Sequence, residues 1–326
     1  MEKDEAILKV KGLRTYFYTG RGIVKAVNNV FFKINQGEIL GIIGESGSGK
    51  TVIALSILRL IPYPGKIVDG EIIFKGEDLL GMSFSEMIKI RGGEIGMIFQ
   101  DPMSSLNPVF TIGEQISSGI LTHKNISKQQ AMHEAIRLLA LVNIPDPERR
   151  IYGYQHEFSG GMKQRVMIAL SLSCNPKLLI ADNPTTALDS TIQLQFLNLI
   201  LDLRKRLGMT ILYITHEFGI AAKLCDRVIV LYAGEIIEAG SVFNVLRNPQ
   251  HPYTMQLIKS TPTSGVRNKK LEPIDGRPPD MAFLPQGCKF TPRCKKAMEE
   301  CLKSNTDVFE VGTKDDSHIV RCILYK

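Results

Sequence analysis

Residues Gly44 to Thr51 read Gly-Glu-Ser-Gly-Ser-Gly-Lys-Thr, a complete G-x-x-x-x-G-K-S/T phosphate loop. Gly47 and Gly49 let the backbone wrap an anion with its N–H groups turned inward, in conformations that a Cβ obstructs. Lys50 is placed to reach β- and γ-phosphates, and the Thr51 hydroxyl to ligate Mg²⁺. Gly44, Glu45, Ser46 and Ser48 complete the loop, and Val52 follows it into a helix expected from Thr51 to about Leu60, whose positive end faces the anion. The apolar run Glu38-Ile-Leu-Gly-Ile-Ile43 suits a buried strand feeding the loop. This pattern predicts a site for a magnesium–nucleoside triphosphate.

Two further stretches carry chemistry. Lys177-Leu-Leu-Ile-Ala-Asp182 is an apolar run ending in an acid, which puts Asp182 at the carboxyl end of a buried strand, where a phosphate-loop enzyme needs a carboxylate for Mg²⁺. Phe158-Ser-Gly-Gly-Met162 opens a helix expected to run to about Leu172. Ser159 suits its N-cap, and Gly160 and Gly161 leave backbone N–H groups exposed at the positive end.

The elements that must position these residues alternate. Strands are expected at Ala6–Val10, Gly37–Ile43, Glu71–Phe74, Ile95–Phe99, Leu178–Asp182, Thr210–Thr215, Val228–Tyr232 and Ile236–Ala239. Apolar residues recur at helical spacing from Thr111 to about Val142, and another helix is expected from about Thr191 to Leu207. Strands alternating with helices around a phosphate loop predict a parallel α/β core. From His251 prolines crowd a segment of weak periodicity, which reads as a small extension pinned by something other than a core.

Composition sets outer limits. The chain has 326 residues, 44% hydrophobic and 22% charged, enough for one large domain and a smaller one. A formal charge of +7 permits an anionic ligand or a membrane surface, and no Lys/Arg run points to nucleic acid. The acidic start Met-Glu-Lys-Asp-Glu does not suit a secretory signal, and no stretch has the ~18 unbroken apolar residues of a membrane span. A cytosolic chain, anchored only through another subunit, is therefore expected. Cys174 and Cys225 lie among apolar residues and read as small core hydrophobes. Cys288, Cys294, Cys301 and Cys322 fall near the end of the chain, and in a reducing compartment such a group reads as a metal site before disulfides. Four thiolates suit structural Zn²⁺ or a four-iron cluster. Their separations of five, six and twenty residues lack the tight pairs of zinc sites and fit a larger cube better.

The string from Ser159 to Arg165, Ser-Gly-Gly-Met-Lys-Gln-Arg, resembles the signature of ABC transporter ATP-binding subunits, most closely the dipeptide/oligopeptide importer ATPases, and the likeness covers essentially the whole chain. It implies an α/β phosphate-loop core of ABC type with antiparallel β and helical subdomains, plus a small Cys-rich C-terminal extension. The expected division is a nucleotide-binding domain over 1–250, with a helical subdomain over about 101–175, and the extension over 251–326. Gln100 matches the family's glutamine that touches Mg²⁺ and attacking water and senses the membrane subunit; the stretch from Asp101 to Pro108 matches the family's residues just after that glutamine. Ala187-Leu188-Asp189 matches the loop that crosses a head-to-tail dimer, and His216 the histidine at the γ-phosphate. An aromatic residue near the start should stack on adenine: Phe17, with Tyr16 and Tyr18 as rivals. Gly-Cys-Lys-Phe-Thr-Pro-Arg-Cys resembles the family's C-terminal motif, which implies a four-iron, four-sulfur (4Fe-4S) cluster at Cys288, Cys294, Cys301 and Cys322, with Zn²⁺ as the alternative.

The likeness therefore implies MgATP hydrolysis coupled to di- or oligopeptide uptake at the cytoplasmic face of the membrane. It implies a second ATPase subunit, two integral membrane permease subunits and, indirectly, an extracellular solute-binding protein. Importers of nickel or another small solute, and a regulatory nucleotide-binding subunit without turnover, are the alternatives. One position departs from the family. The residue after the magnesium aspartate, normally glutamate, is Asn183, and an amide orients water but cannot take its proton. Slow hydrolysis at this chain's own loop, within an asymmetric heterodimer, is therefore expected.

Overall fold

The computed structural model describes residues 6–100, 105–186, 189–260, 273–303, 306–312 and 317–326. Among these the strands run β1 (Ala6–Thr19), β2 (Gly22–Asn35), β3 (Ile39–Ile43), β4 (Gly65–Phe74), β5 (Glu77–Asp78), β6 (Ile95–Ile98), β7 (Leu178–Asp182), β8 (Thr210–Thr215), β9 (Arg227–Tyr232), β10 (Glu235–Ser241), β11 (Phe309–Glu310) and β12 (Ile319–Val320). Contacts divide the chain into two units, Met1–Leu80 with Tyr213–Lys326, and Gly81–Leu212.

In the first unit β1 pairs antiparallel with β2 on one edge and β4 on the other, with β5 beyond β4. Both long strands exceed the sequence expectation. β1 continues to Thr19, and β2 has no counterpart in the pattern, because Asn28–Asn29 interrupts its alternation and Asn29 takes a positive φ of 58°. Its inward face nevertheless buries Val27, Val30 and Ile34 completely. β3 pairs parallel with β9, and β9 continues antiparallel through β10 to β12 and β11. Ile-Leu-Gly-Ile-Ile in β3 is buried at every position, as a strand covered on both faces demands.

In the second unit β6 and β7 pair parallel, and β7 is likewise buried throughout. The helical stretch expected from Thr111 to about Val142 forms two helices, Ile112–His123 and Lys128–Leu141. Each starts on a capping box, Thr111 with Glu114 and Ser127 with Gln130, and Lys124 ends the first in an extended conformation. Ser127 therefore starts a new helix where periodicity alone suggests continuation. Helix Ser190–Leu207 is N-capped by the Asp189 carboxylate, which accepts from the Thr191 and Ile192 N–H groups, and it ends at Gly208 in the left-handed region.

The segment beyond His251 has more core than its prolines suggest. Tyr253 and Phe290 are completely buried, and their rings meet edge-on at 5.3 Å. Helix Pro252–Lys259 starts on His251, whose Nδ1 accepts from the Tyr253 N–H at 3.0 Å. Buried Glu238 on β10 accepts from the Gln250 and His251 N–H groups and shares a 2.8 Å hydrogen bond with His318 Nε2. Burial holds the His251 ring neutral and brings its pKa from 6.5 down to about 3. The unfolded chain therefore binds a proton there that the folded chain refuses, so stability falls as pH drops from 6.5 toward 3. Denaturant unfolding at successive pH values should show a loss approaching about 1.4 kcal/mol per pH unit from this one residue. His251→Asn keeps an oxygen to accept from the Tyr253 N–H and should remove that part of the slope.

Candidate functional site

The phosphate loop leaves β3 and enters helix Lys50–Ile57, which ends three residues before the point the sequence suggests because Arg59 turns into the left-handed region. Gly49, the N-cap, has φ 105° and no side-chain cap, so the first-turn N–H groups of the helix face the loop without a side-chain acceptor at their end. Gly47 has φ 78°, and the direction its Cβ would take is open. A Cβ on Gly49 would stand 2.1 Å from the Ala26 carbonyl oxygen of β2, and one on Gly44 would stand 2.3 Å from that of Leu231. The glycines therefore have two roles: Gly47 supplies conformation, while Gly44 and Gly49 let neighbouring strands close on the loop.

Lys50 is only 5% exposed. Its ammonium donates to the carbonyls of Gly44 at 2.8 Å and Glu45 at 2.7 Å, and to Ser48 Oγ at 3.3 Å. Ser46 and Gly47 at the loop tip are exposed, while Thr51 and Val52 are half-buried. A caged cation, a helix N-terminus and an open glycine tip fit a bound phosphate. Glu45 is held from outside the loop. Its backbone N–H donates to Tyr253 Oη at 3.0 Å, and its carboxylate takes a two-pronged bond from Arg293 at 2.6 and 3.0 Å. Burial opposes the Arg293 charge, yet its bonds to Glu45 and Tyr232 outweigh this and raise its pKa. Burial also pushes the Tyr253 hydroxyl up, so it stays protonated. The sequence signals neither Tyr253 nor Arg293; Arg293 lies 248 residues from Glu45, inside a string whose cysteines are its visible feature.

Also in the first unit, His216 is exposed directly after β8, and the Glu217 N–H donates to Thr215 Oγ1 at 3.0 Å. The three candidate aromatics at the end of β1 differ in setting. Tyr16 donates to Asn28 Oδ1 at 2.9 Å with Lys25 over its ring, Phe17 is half-buried against Gly65, and Tyr18 is exposed.

The second unit holds the remaining predicted residues. Asp182, 2% exposed, ends β7, and its Oδ1 accepts from Asn183 Nδ2 at 3.4 Å. Asn183 has φ 43°, a left-handed conformation that asparagine tolerates, and its carbonyl accepts from Thr186 at both N–H and Oγ1. Ser159 caps helix Gly160–Ser171 by accepting from the Met162 N–H; Ser159 and Gly160 are exposed and Gly161 is half-buried, with Ile192 across from it. Gln164, one turn on, donates to the Pro184 carbonyl and so fastens this helix to the turn after Asn183. Gln100 is exposed just past β6. Of the stretches matched to the family's loops, Asp101 to Ser104, Ala187 and Leu188 lie outside the described residues.

The expected 4Fe-4S or zinc site is not borne out. Among the described residues no group of three or more His, Cys, Asp or Glu side chains could hold a metal ion. Cys288, Cys294, Cys301 and Cys322 do line one cavity, beside His251 and Phe290, but its volume is about 20 Å³, little more than a single water occupies. Burial raises the thiol pKa of Cys288 and Cys294, and brings that of Cys322 up to about 11. The fold brings the four residues to one place without giving them ligand geometry.

Comparison with known proteins places this geometry in context. Residues 27–186 match the family described as ABC transporter, and residues 237–301 match the family described as oligopeptide/dipeptide transporter, C-terminal region. A probable peptide ABC transporter ATP-binding protein, y4tR of Sinorhizobium fredii, is 49% identical over 95% of this chain and 93% of its own. The dipeptide transport ATP-binding protein DppD of Bacillus subtilis is 46% identical over 98% of this chain and 95% of its own. Among solved structures, the ATP-binding cassette MJ0796, in a dimeric post-hydrolysis state bound to ADP and Pi, superposes with a TM-score of 0.65 at 29% identity, over 72% of this chain and 98% of that one. A structure of cbiO1 from Clostridium perfringens, part of the ABC transporter complex cbiONQ, gives 0.65 at 29% identity over 75% and 92%.

The two kinds of glycine should respond differently to substitution. Gly49→Ala combines a positive φ with a carbonyl 2.1 Å away and should lower stability by about 3 kcal/mol or more, whereas Gly47→Ala, strained but open, should cost about 1–2 kcal/mol. Chemical denaturation of the two variants beside the parent protein measures the difference.

Proposed function

Because this chain belongs to the ABC transporter family of ATP-binding proteins, with that family's oligopeptide/dipeptide C-terminal region, we propose that it is the ATPase subunit of a peptide importer. The observation that carries this reading is the phosphate loop with its caged Lys50 ammonium. Support for peptides as cargo comes from the C-terminal match and from relatives named for peptide, dipeptide and oligopeptide transport. Those names favour peptides over nickel or another small solute. Among the described residues no helix is long and apolar enough to cross a membrane, so passage of cargo requires permease subunits. We place the chain on the cytoplasmic face of the membrane, against two such permeases. A second ATPase subunit pairs with it head to tail, and an extracellular solute-binding protein delivers the peptide.

The residues divide the work by chemistry. Lys50 leaves its carbonyl cage to meet the β- and γ-phosphates, and the loop N–H groups receive the same anion. The Thr51 hydroxyl and Asp182 carboxylate are hard oxygen donors of the kind Mg²⁺ prefers, with Gln100 joining them. The metal would neutralise charge developing on the transferred phosphoryl group. Phe17 stacks on the adenine, and His216 reads the γ-phosphate. Ser159, Gly160 and Gly161 present the positive end of their helix to the triphosphate held by the partner's loop. Exposed Val109 and Phe110, downstream of Gln100, offer apolar surface to a permease.

Asn183 stands where the family normally has glutamate. Its amide can hold a water but cannot accept that water's proton, so the general-base contribution, typically about 10²–10⁴-fold, is missing at this loop. The chain therefore binds MgATP and turns it over slowly, while its Ser159–Gly161 helix end completes a faster site on the second ATPase.

Equilibrium binding of MgATP to the purified chain tests the reading directly, with Lys50→Ala expected to abolish it. Phosphate release from the Asn183→Glu variant should exceed that of the parent by about 10²-fold or more. Equal and substantial rates from both would show that another group activates water and would remove the case for an asymmetric pair.

A further inference from the structure

The segment beyond residue 250 bonds to the phosphate loop at Glu45. Bonds converge on each of its polar groups. The Tyr253 hydroxyl accepts from its N–H, its carbonyl accepts from Lys50 Nζ at 2.7 Å and from the Ser48 N–H at 3.2 Å, and Arg293 grips its carboxylate. The residue whose carbonyl cages the functional lysine is thus oriented by two residues from the C-terminal segment. That grip is itself braced. Arg293 Nε donates to the Asp275 carbonyl at 2.9 Å, and a terminal nitrogen reaches Tyr232 Oη at 3.4 Å. The guanidinium also sits 5.9 Å from the ring centres of both Tyr232 and Phe290. Tyr232 in turn packs on Tyr253 at 4.6 Å, so the arginine and the tyrosine that hold Glu45 belong to one aromatic cluster.

Electrostatics gives the arrangement a purpose. Glu45 puts a carboxylate inside a loop whose task is to bind a highly charged anion, which an unneutralised acid would repel. Arg293, 5% exposed against 22% for Glu45, supplies a permanent counter-charge in a geometry a single ammonium cannot reproduce. We propose that the C-terminal segment is a positioning element for the nucleotide site, with Arg293 neutralising Glu45 and, together with Tyr253, fixing the Glu45 backbone so that the phosphate loop is held ready for its ligand. The proposal rests on the reading of this loop as the MgATP site. Arg293 and Tyr253 act through Glu45 and need touch neither phosphate nor metal.

The test is a double-mutant cycle on the full chain, read by two measurements. Arg293→Met should weaken MgATP binding about tenfold or more, and in the nucleotide-free protein it should speed hydrogen exchange at the amides of residues 45–49. In a Glu45→Gln background, where no carboxylate needs neutralising, Arg293→Met should cost far less, so the two effects will not add. Arg293→Lys, which keeps the charge and loses the fork, should fall between parent and Arg293→Met and serves if the methionine variant does not fold. Unchanged affinity and unchanged loop exchange in Arg293→Met or Arg293→Lys would overturn the proposal. So would losses in the single variants that simply add in the double variant, since that is how independent structural damage behaves. The parent and Lys50→Ala proteins separate this failure from the larger one: a parent chain that does not bind MgATP, or a Lys50→Ala variant that binds it equally, would take the assignment of the loop down together with this inference.

Discussion

A buried ammonium must be surrounded by acceptors, and in this protein that requirement fixes the shape of the phosphate loop. Lys50 is satisfied by two backbone carbonyls and a hydroxyl from the loop that precedes it, so the chain has to curl back over its own lysine. The curl places Gly44 against the Leu231 carbonyl and Gly49 against that of Ala26, where no side chain fits. β2 and β9 are therefore the walls that hold the loop, as well as parts of the core. A loop clamped this way has little ordering left to do when an anion arrives.

The same requirement extends to Glu45. Its carbonyl belongs to the lysine cage, and its carboxylate and N–H are claimed by Arg293 and Tyr253. Around these, Tyr232, Tyr253 and Phe290 form a contiguous aromatic cluster, and the buried Glu238–His318 pair braces β10 nearby through the His251 N–H. The described part of the C-terminal segment is thus packed on its own Tyr253 and Phe290 against Tyr232, and among the described residues no group of three or more His, Cys, Asp or Glu side chains could hold a metal ion. Its four cysteines line one small cavity, Cys301 and Cys322 buried and Cys288 and Cys294 half-buried.

In the unit Gly81–Leu212 the positions of the candidate residues are set by local devices. Ser159 caps the helix that carries the glycine pair, Asp189 caps the helix after it, and Gln164 bonds the Pro184 carbonyl. Asp182 ends a strand buried on both faces, so its carboxylate emerges from a rigid base. The left-handed backbone of Asn183 turns the chain sharply just there, and the Asn183 side chain bonds back to the aspartate. An amide at that position suits the left-handed turn and offers no proton acceptor.

Much of this is legible along the chain because it depends on neighbours in sequence. The spacing of the phosphate loop, the apolar run ending at Asp182, the Ser159 cap and the resemblance of the signature string need no knowledge of what folds against them. The break at Ser127 is equally local, marked by a capping box that the apolar periodicity overshadows. β2 is hidden by two asparagines whose irregular pairing only its partner strand explains. The cysteines show the opposite limit: their spacing suggests a ligand set, but spacing does not say how four sulfurs are arranged or whether they lose their protons. The bond between Glu45 and Arg293 is the clearest case of what only tertiary structure decides. The loop's motif is read from neighbours in sequence, whereas a salt bridge across 248 residues exists only once the chain between them has folded.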